Sequence, residues 1–148
     1  MDRIERIVNS REEMIAFAEE FGRTLKSRDL VVLKGELGAG KTTFTQGIGK
    51  ALGLDDVSSP TFVISRTHRS KPPLVHVDAY RLIGNEKASL EFDDLDLDTA
   101  RDEAIVVVEW GSELALRLDE HFYFVEISFL EDSDSENLDG RKVVIEKR

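Results

Sequence analysis

The segment Gly35-Glu36-Leu37-Gly38-Ala39-Gly40-Lys41-Thr42 fits the pattern G-x-x-x-x-G-K-[ST], and each position has a physical reason. Glycines let a backbone wrap an anion with its N–H groups pointing inward, and a helix that starts at the loop adds the positive end of its dipole. Lys41 can reach the β- and γ-phosphates of a nucleotide, while the Thr42 hydroxyl can ligate Mg²⁺. With glycine near 7% of average composition, a chance match in a chain of this length arises roughly once in two hundred. A magnesium site also needs a carboxylate close to Thr42, normally from the end of a neighbouring strand. Asp78 ends Leu74-Val75-His76-Val77, and Glu109 ends Ala104 to Val108. Both read as an apolar strand followed by an acid, and the pattern does not rank them. One acid can hold the metal while the other orients or deprotonates a nucleophile.

Around this pair lie residues with two readings each. Ser58-Ser59-Pro60-Thr61 stands where nucleotide hydrolases carry a hydroxyl that senses the γ-phosphate, and it is equally a plain turn. His76 alternates with Val75 and Val77, which reads as a packed strand histidine rather than a ligand. Tyr80 and Arg81 face the site or serve as a packing ring and a surface charge, and Trp110 anchors a helix, shields a nucleotide or meets a partner.

The elements that must position these groups follow from periodicity. Ile4 to Val8 reads as a short strand, and Ser10 with Glu13 has the form of a capping box. The helix behind it places Met14, Ile15, Ala18, Phe21 and Leu25 on one face. Asp29 to Lys34 is an apolar strand of the kind buried in a parallel sheet, and a second helix runs from about Lys41 to Leu52, closed by Gly53. Phe62 to Ser65 and Leu74 to Val77 read as strands joined by a basic link, Arg66 to Pro73. Ala104 to Val108 is the strongest strand, suited to the middle of a sheet, and Glu113 to Leu118 suggests a short helix. Phe122 to Leu130 and Lys142 to Ile145 read as a closing antiparallel pair around the acidic loop Glu131 to Gly140. The expectation is an α/β fold with a mixed sheet in a single domain, residues 1–148.

Composition narrows the classes. The chain has 148 residues with a formal charge of −10, 41% hydrophobic and 34% charged, which suits one globular domain. It has no cysteine, which excludes a disulfide scaffold, a thiolate metal site and a cysteine nucleophile. No apolar run approaches the ~20 residues that span a bilayer, and Met1 to Arg6 lacks the apolar core of a secretory signal. A cytoplasmic location without membrane contact is expected. The acidic balance argues against tight, unaided binding to nucleic acid.

Taken in order, Gly35 to Thr43, Ser59-Pro60-Thr61-Phe62, His76-Val77-Asp78-Ala79-Tyr80-Arg81-Leu82 and Val108-Glu109-Trp110 resemble the TsaE (YjeE) family of bacterial ATPases of tRNA threonylcarbamoyladenosine biosynthesis. The resemblance covers roughly Ser10 to Trp110. Leu90 to Leu95 is similar to an acidic family segment but lacks the aromatic that often ends it. The resemblance implies a P-loop NTPase-like mixed β-sheet flanked by helices, with a C-terminal antiparallel strand pair. It implies that ATP or ADP is bound by Gly38, Ala39, Gly40, Lys41, Thr42 and Thr43, with Ser10 near the base or sugar. Thr42 and Glu109 would hold Mg²⁺, Thr61 would sense the γ-phosphate, and Asp78 would stand by the attacking water, so that Lys41, Thr61 and Asp78 form the catalytic set. It further implies a weak ATPase stimulated by TsaB and TsaD, reaching tRNA only through them.

Two other functions fit parts of the pattern. A small-molecule kinase would use Asp78 as base for a substrate hydroxyl and Arg81 as a clamp, but the chain is short for one and shows no arginine-rich lid. A regulatory module would bind nucleotide without turning it over. The Asn-Lys-x-Asp motif that reads guanine is absent.

Overall fold

Leu30, Val31, Val32 and Leu33 are four consecutive buried residues, the pattern of a strand covered on both faces. In the computed structural model, which describes residues 3–36, 38–55, 57, 65–78, 102–109, 121–130 and 140–148, they lie in β2 (Leu30–Gly35). The other described strands are β1 (Arg3–Val8), β3 (Ser65–His68), β4 (Leu74–Asp78), β5 (Ile105–Glu109), β6 (Tyr123–Phe129) and β7 (Arg141–Lys147). They form one sheet in the order β1-β7-β6-β2-β5-β4-β3. Its centre is parallel, since β2 pairs in parallel with both β5 and β6, and β4 with β5. Both margins are antiparallel, through β3 on β4 at one side and β7 and β1 beyond β6 at the other. The mixed sheet and the closing antiparallel pair therefore stand as the sequence suggests.

Two helices are described. In α1 (Arg11–Gly22), the Ser10 hydroxyl caps the first turn by accepting from the Glu13 N–H at 3.1 Å. The return bond of the expected capping box lands one residue early, because the Glu13 carboxylate accepts from the Asn9 N–H. The buried face of α1 includes Phe17 beside Met14, Ala18 and Phe21, whereas Ile15 is only half-buried. Leu25 is buried but lies past the end of the helix, which is shorter than its periodicity suggests.

Helix α2 (Lys41–Ala51) packs against α1 at a close crossing. A Cβ on Gly47 would stand 2.4 Å from the Ala18 Cβ and 2.7 Å from the Ile15 carbonyl oxygen, so glycine is what lets the two backbones approach. The Phe44 ring is fully buried between Phe17 and Phe21, with ring centroids 6.4 and 5.9 Å away, and Phe21 meets Tyr123 of β6 edge-on at 5.3 Å. Burying a phenylalanine of this kind contributes about 1.5–3 kcal/mol, so this cluster ties α2 to the rest of the core.

The expected basic link from Arg66 to Pro73 needs correction. Arg66, Thr67 and His68 belong to β3 and pair with His76, Val75 and Leu74. Nothing in Ser-Arg-Thr-His signals a strand locally; the neighbouring β4 imposes extended backbone on it by offering a free edge. Phe62 to Ile64, the acidic segment Leu90 to Leu95, the helix expected at Glu113 to Leu118 and residues Glu131 to Asp139 of the acidic loop lie outside the described residues. Among the described residues no helix is long and apolar enough to cross a membrane.

Candidate functional site

The parallel centre of the sheet brings the chemistry to one edge. β2 runs into the glycine-rich loop, and α2 starts directly after it. Gly38 and Gly40 have φ of 83° and 115°, in the left-handed region that glycine enters without strain. Gly40 is the N-cap of α2 and offers no side chain to the first-turn N–H groups, the arrangement that leaves a helix start open to an anion. Gly35 fits where the chain leaves the sheet, since a Cβ there would stand 2.7 Å from the carbonyl oxygen of Ile127 on β6.

Lys41 folds back over the start of the loop. Its Nζ donates to the Gly35 carbonyl at 2.7 Å and to the Glu36 carbonyl at 3.2 Å, and only 8% of the residue is exposed. Burial pulls its pKa below the ordinary lysine range, while the carboxylates of Glu109 and Asp78 act against that pull. Those two acids occupy the last positions of β5 and β4 and are register partners, and Glu109 is also the partner of Leu33 near the end of β2. The loop, Lys41 and both carboxylates therefore gather at the C-terminal edge of adjacent parallel strands, where open α/β sheets place their ligands.

The two acids differ in setting. Glu109 is buried, and its Oε1 has no hydrogen-bond partner among the described residues. Nε2 of His76 lies 3.3 Å from that oxygen. His76 is fully buried in β4, in keeping with the packed histidine read from the sequence. Asp78 is half-buried. No group of three or more His, Cys, Asp or Glu able to enclose a metal occurs among the described residues. A single orphaned carboxylate oxygen suits a cation that keeps most of its shell as water and phosphate, as Mg²⁺ does.

Thr42 and Thr43 are half-buried in the first turn of α2, and Ala39 is fully buried. The Ser10 hydroxyl is engaged as the cap of α1. One turn on, Met14 approaches Gly40 closely enough that a Cβ there would lie 3.2 Å from its Cε, so the start of α1 lies beside the loop. Thr61, with the rest of Ser58 to Phe62, and Tyr80, Arg81 and Trp110 lie outside the described residues.

One contact was not legible in the sequence. Arg141, the first residue of β7, donates from Nε to the Ala39 carbonyl at 3.1 Å and from a terminal nitrogen to the Gly38 carbonyl at 3.4 Å. Sequence patterning ends the acidic loop at Gly140 and starts the closing strand at Lys142, assigning Arg141 to neither. Only the register of the strand pair, Phe129 opposite Arg141, could have revealed it.

A family model described as "Threonylcarbamoyl adenosine biosynthesis protein TsaE" matches residues 8–142. The tRNA threonylcarbamoyladenosine biosynthesis protein TsaE of Mycobacterium tuberculosis is 43% identical over 131 residues, covering 84% of this chain and 78% of the relative. Its counterpart of the same name from Streptomyces coelicolor is 52% identical over 102 residues, covering 66% and 67%. The crystal structure of Bacillus subtilis YdiB superposes with a TM-score of 0.72 at 26% identity, covering 97% of this chain and 84% of that one.

Proposed function

The chain belongs to the TsaE family of tRNA threonylcarbamoyladenosine biosynthesis proteins, and we propose that within that pathway it is a cytoplasmic, Mg²⁺-dependent ATPase. The observation that carries this reading is the position of Lys41, which bridges the two ends of the phosphate loop and stands in the field of both Glu109 and Asp78. A lysine so placed has its charge ready for a ligand that supplies better acceptors than two carbonyls, and phosphate oxygens are such acceptors.

On binding ATP, Lys41 exchanges the Gly35 and Glu36 carbonyls for β- and γ-phosphate oxygens, while the N–H groups from Gly38 to Thr43 line the loop around the phosphates. Thr42 and Glu109 would hold Mg²⁺, which when bound draws charge from the phosphate oxygens. Asp78, at the more open of the two strand ends, accepts a hydrogen bond from the attacking water. The water oxygen bonds to the γ-phosphorus as the bond to the bridging oxygen breaks. ADP leaves with the electron pair, and the water proton passes to the Asp78 carboxylate. The family resemblance gives Thr61 the sensing of the γ-phosphate, places Ser10 near the base or sugar, and makes TsaB and TsaD the partners through which the chain serves tRNA.

Phosphate release from ATP is the test, measured without any added acceptor and with and without TsaB–TsaD. Mg²⁺-dependent release that rises with the partners supports the reading. Transfer to an added small molecule with no release to water would make the protein a kinase, and binding without release would make it a regulatory module.

A further inference from the structure

We propose that Arg141 is a positioning residue of the phosphate loop, holding it in the form that receives nucleotide phosphates; this rests on the loop being a nucleotide site. Register places Arg141 opposite Phe129, and the guanidinium carbon lies 4.3 Å from the centre of that ring. The cation covers one face of this ring, while Phe129 as a whole remains 40% exposed. A third donation, to the Gly140 carbonyl at 2.9 Å, fixes the side chain from its own strand. Thus anchored on the closing strand pair, the same planar group reaches the carbonyls of both Gly38 and Ala39.

Those carbonyls determine where the loop's N–H groups point. In a trans peptide the C=O and the next N–H lie in one plane and point in opposite directions across the chain. Gripping the Ala39 carbonyl therefore aims the Gly40 N–H the opposite way. The peptide before it is held at both ends, since the Ala39 N–H donates to the Glu36 carbonyl at 2.9 Å while Arg141 takes the Gly38 oxygen. Gly38 and Gly40 are the residues with the most alternative conformations to lose, so a clamp across them removes most of the ordering that nucleotide would otherwise impose. Donors set in place before the ligand arrives bind more tightly than donors that must be collected.

The experiment compares wild type with Arg141→Gln, Arg141→Lys and Phe129→Leu. ATP and ADP affinities are measured by calorimetry, and amide hydrogen exchange of the nucleotide-free protein is followed in peptides covering residues 36–43 and β5. Arg141→Gln is expected to weaken ATP and ADP alike by about tenfold. Its loop amides should exchange at least several-fold faster while β5 keeps its protection. Arg141→Lys should restore part of both effects together, because a single ammonium can serve one carbonyl at a time, and Phe129→Leu should move both in the same direction by less. If Arg141→Gln does not fold, the Lys and Phe129 variants carry the same comparison. Affinity within twofold of wild type overturns the proposal, as does weaker binding with unchanged loop exchange, or protection lost equally from β5. A wild-type protein that binds neither nucleotide overturns the site itself and not the role of Arg141 alone.

Discussion

Asp78 and Glu109 end adjacent parallel strands as register partners, so their side chains leave the sheet on the same face, one strand spacing of about 4.8 Å apart. Two carboxylates that close would repel each other without a cation, and Lys41 feels both. Their burial separates them: Glu109 is enclosed with an orphaned oxygen, and Asp78 is half open to solvent. An ion that retains water can satisfy the first, while a water molecule can reach the second.

The division of labour between these acids can be tested by removing one charge at a time. Glu109→Gln is expected to weaken nucleotide binding measured with Mg²⁺ and to leave binding without the metal largely unchanged. Asp78→Asn should retain Mg²⁺-dependent binding and lose hydrolysis. Calorimetric titrations with and without Mg²⁺, together with phosphate release, check both. If Asp78→Asn abolishes the metal dependence while Glu109→Gln keeps it, the two roles are exchanged.

Lys41→Ala should lose most phosphate affinity. Removing a charge-assisted contact typically costs about 1.5–3 kcal/mol, roughly tenfold to more than a hundredfold in binding. Equilibrium titration with ATP is the measurement, and an unchanged dissociation constant would contradict the phosphate-loop assignment.

Hydrolysis by the isolated protein should be slow. No arginine lies within the phosphate loop itself, and Arg141, which touches it from β7, is occupied with its carbonyls. A supplied arginine or an ordered switch can be worth roughly 10³–10⁵ in rate, so single-turnover hydrolysis should rise steeply when TsaB–TsaD is added. With a net charge of −10, the isolated chain should also bind tRNA no better than weakly at physiological salt. Fast unaided turnover, or sub-micromolar tRNA binding, would count against this division of work between the chain and its partners.

Gly47→Ala addresses the platform beneath the loop. The added methyl would collide with Ala18 and with the Ile15 carbonyl, and overpacking of a tight core typically costs about 1–3 kcal/mol. Thermal unfolding should show a lower midpoint, with ATP affinity reduced because α2 carries Lys41 and Thr42. An unchanged midpoint would mean that the α1–α2 crossing yields more readily than its spacing suggests.

What the sequence made legible follows from how local each signal is. β2 and β5 are unbroken apolar runs because both of their faces are covered, and the runs announce themselves without knowledge of their neighbours. The phosphate loop is local in the same sense, since its glycines, lysine and threonine sit within eight consecutive residues. Ser10 as a helix cap needs only Glu13. By contrast, β3 is a polar tetrapeptide whose extended form comes from β4, and Arg141 meets the loop only because β7 pairs with β6 in one register. Such contacts join distant parts of the chain, and no window of sequence contains them.

The strand order has a consequence for the sequence of assembly. Among the described residues β1 pairs only with β7, which is made much later, so during synthesis this early strand waits without that partner. Pairing across so much intervening chain is slow to establish, because the entropy of closing the loop is lost before the contacts repay it. The complete phosphate loop is on that same late schedule, because the arginine that clasps its carbonyls arrives with β7. A nascent chain can thus display the whole glycine-lysine motif before the side chain that clasps its carbonyls has been made.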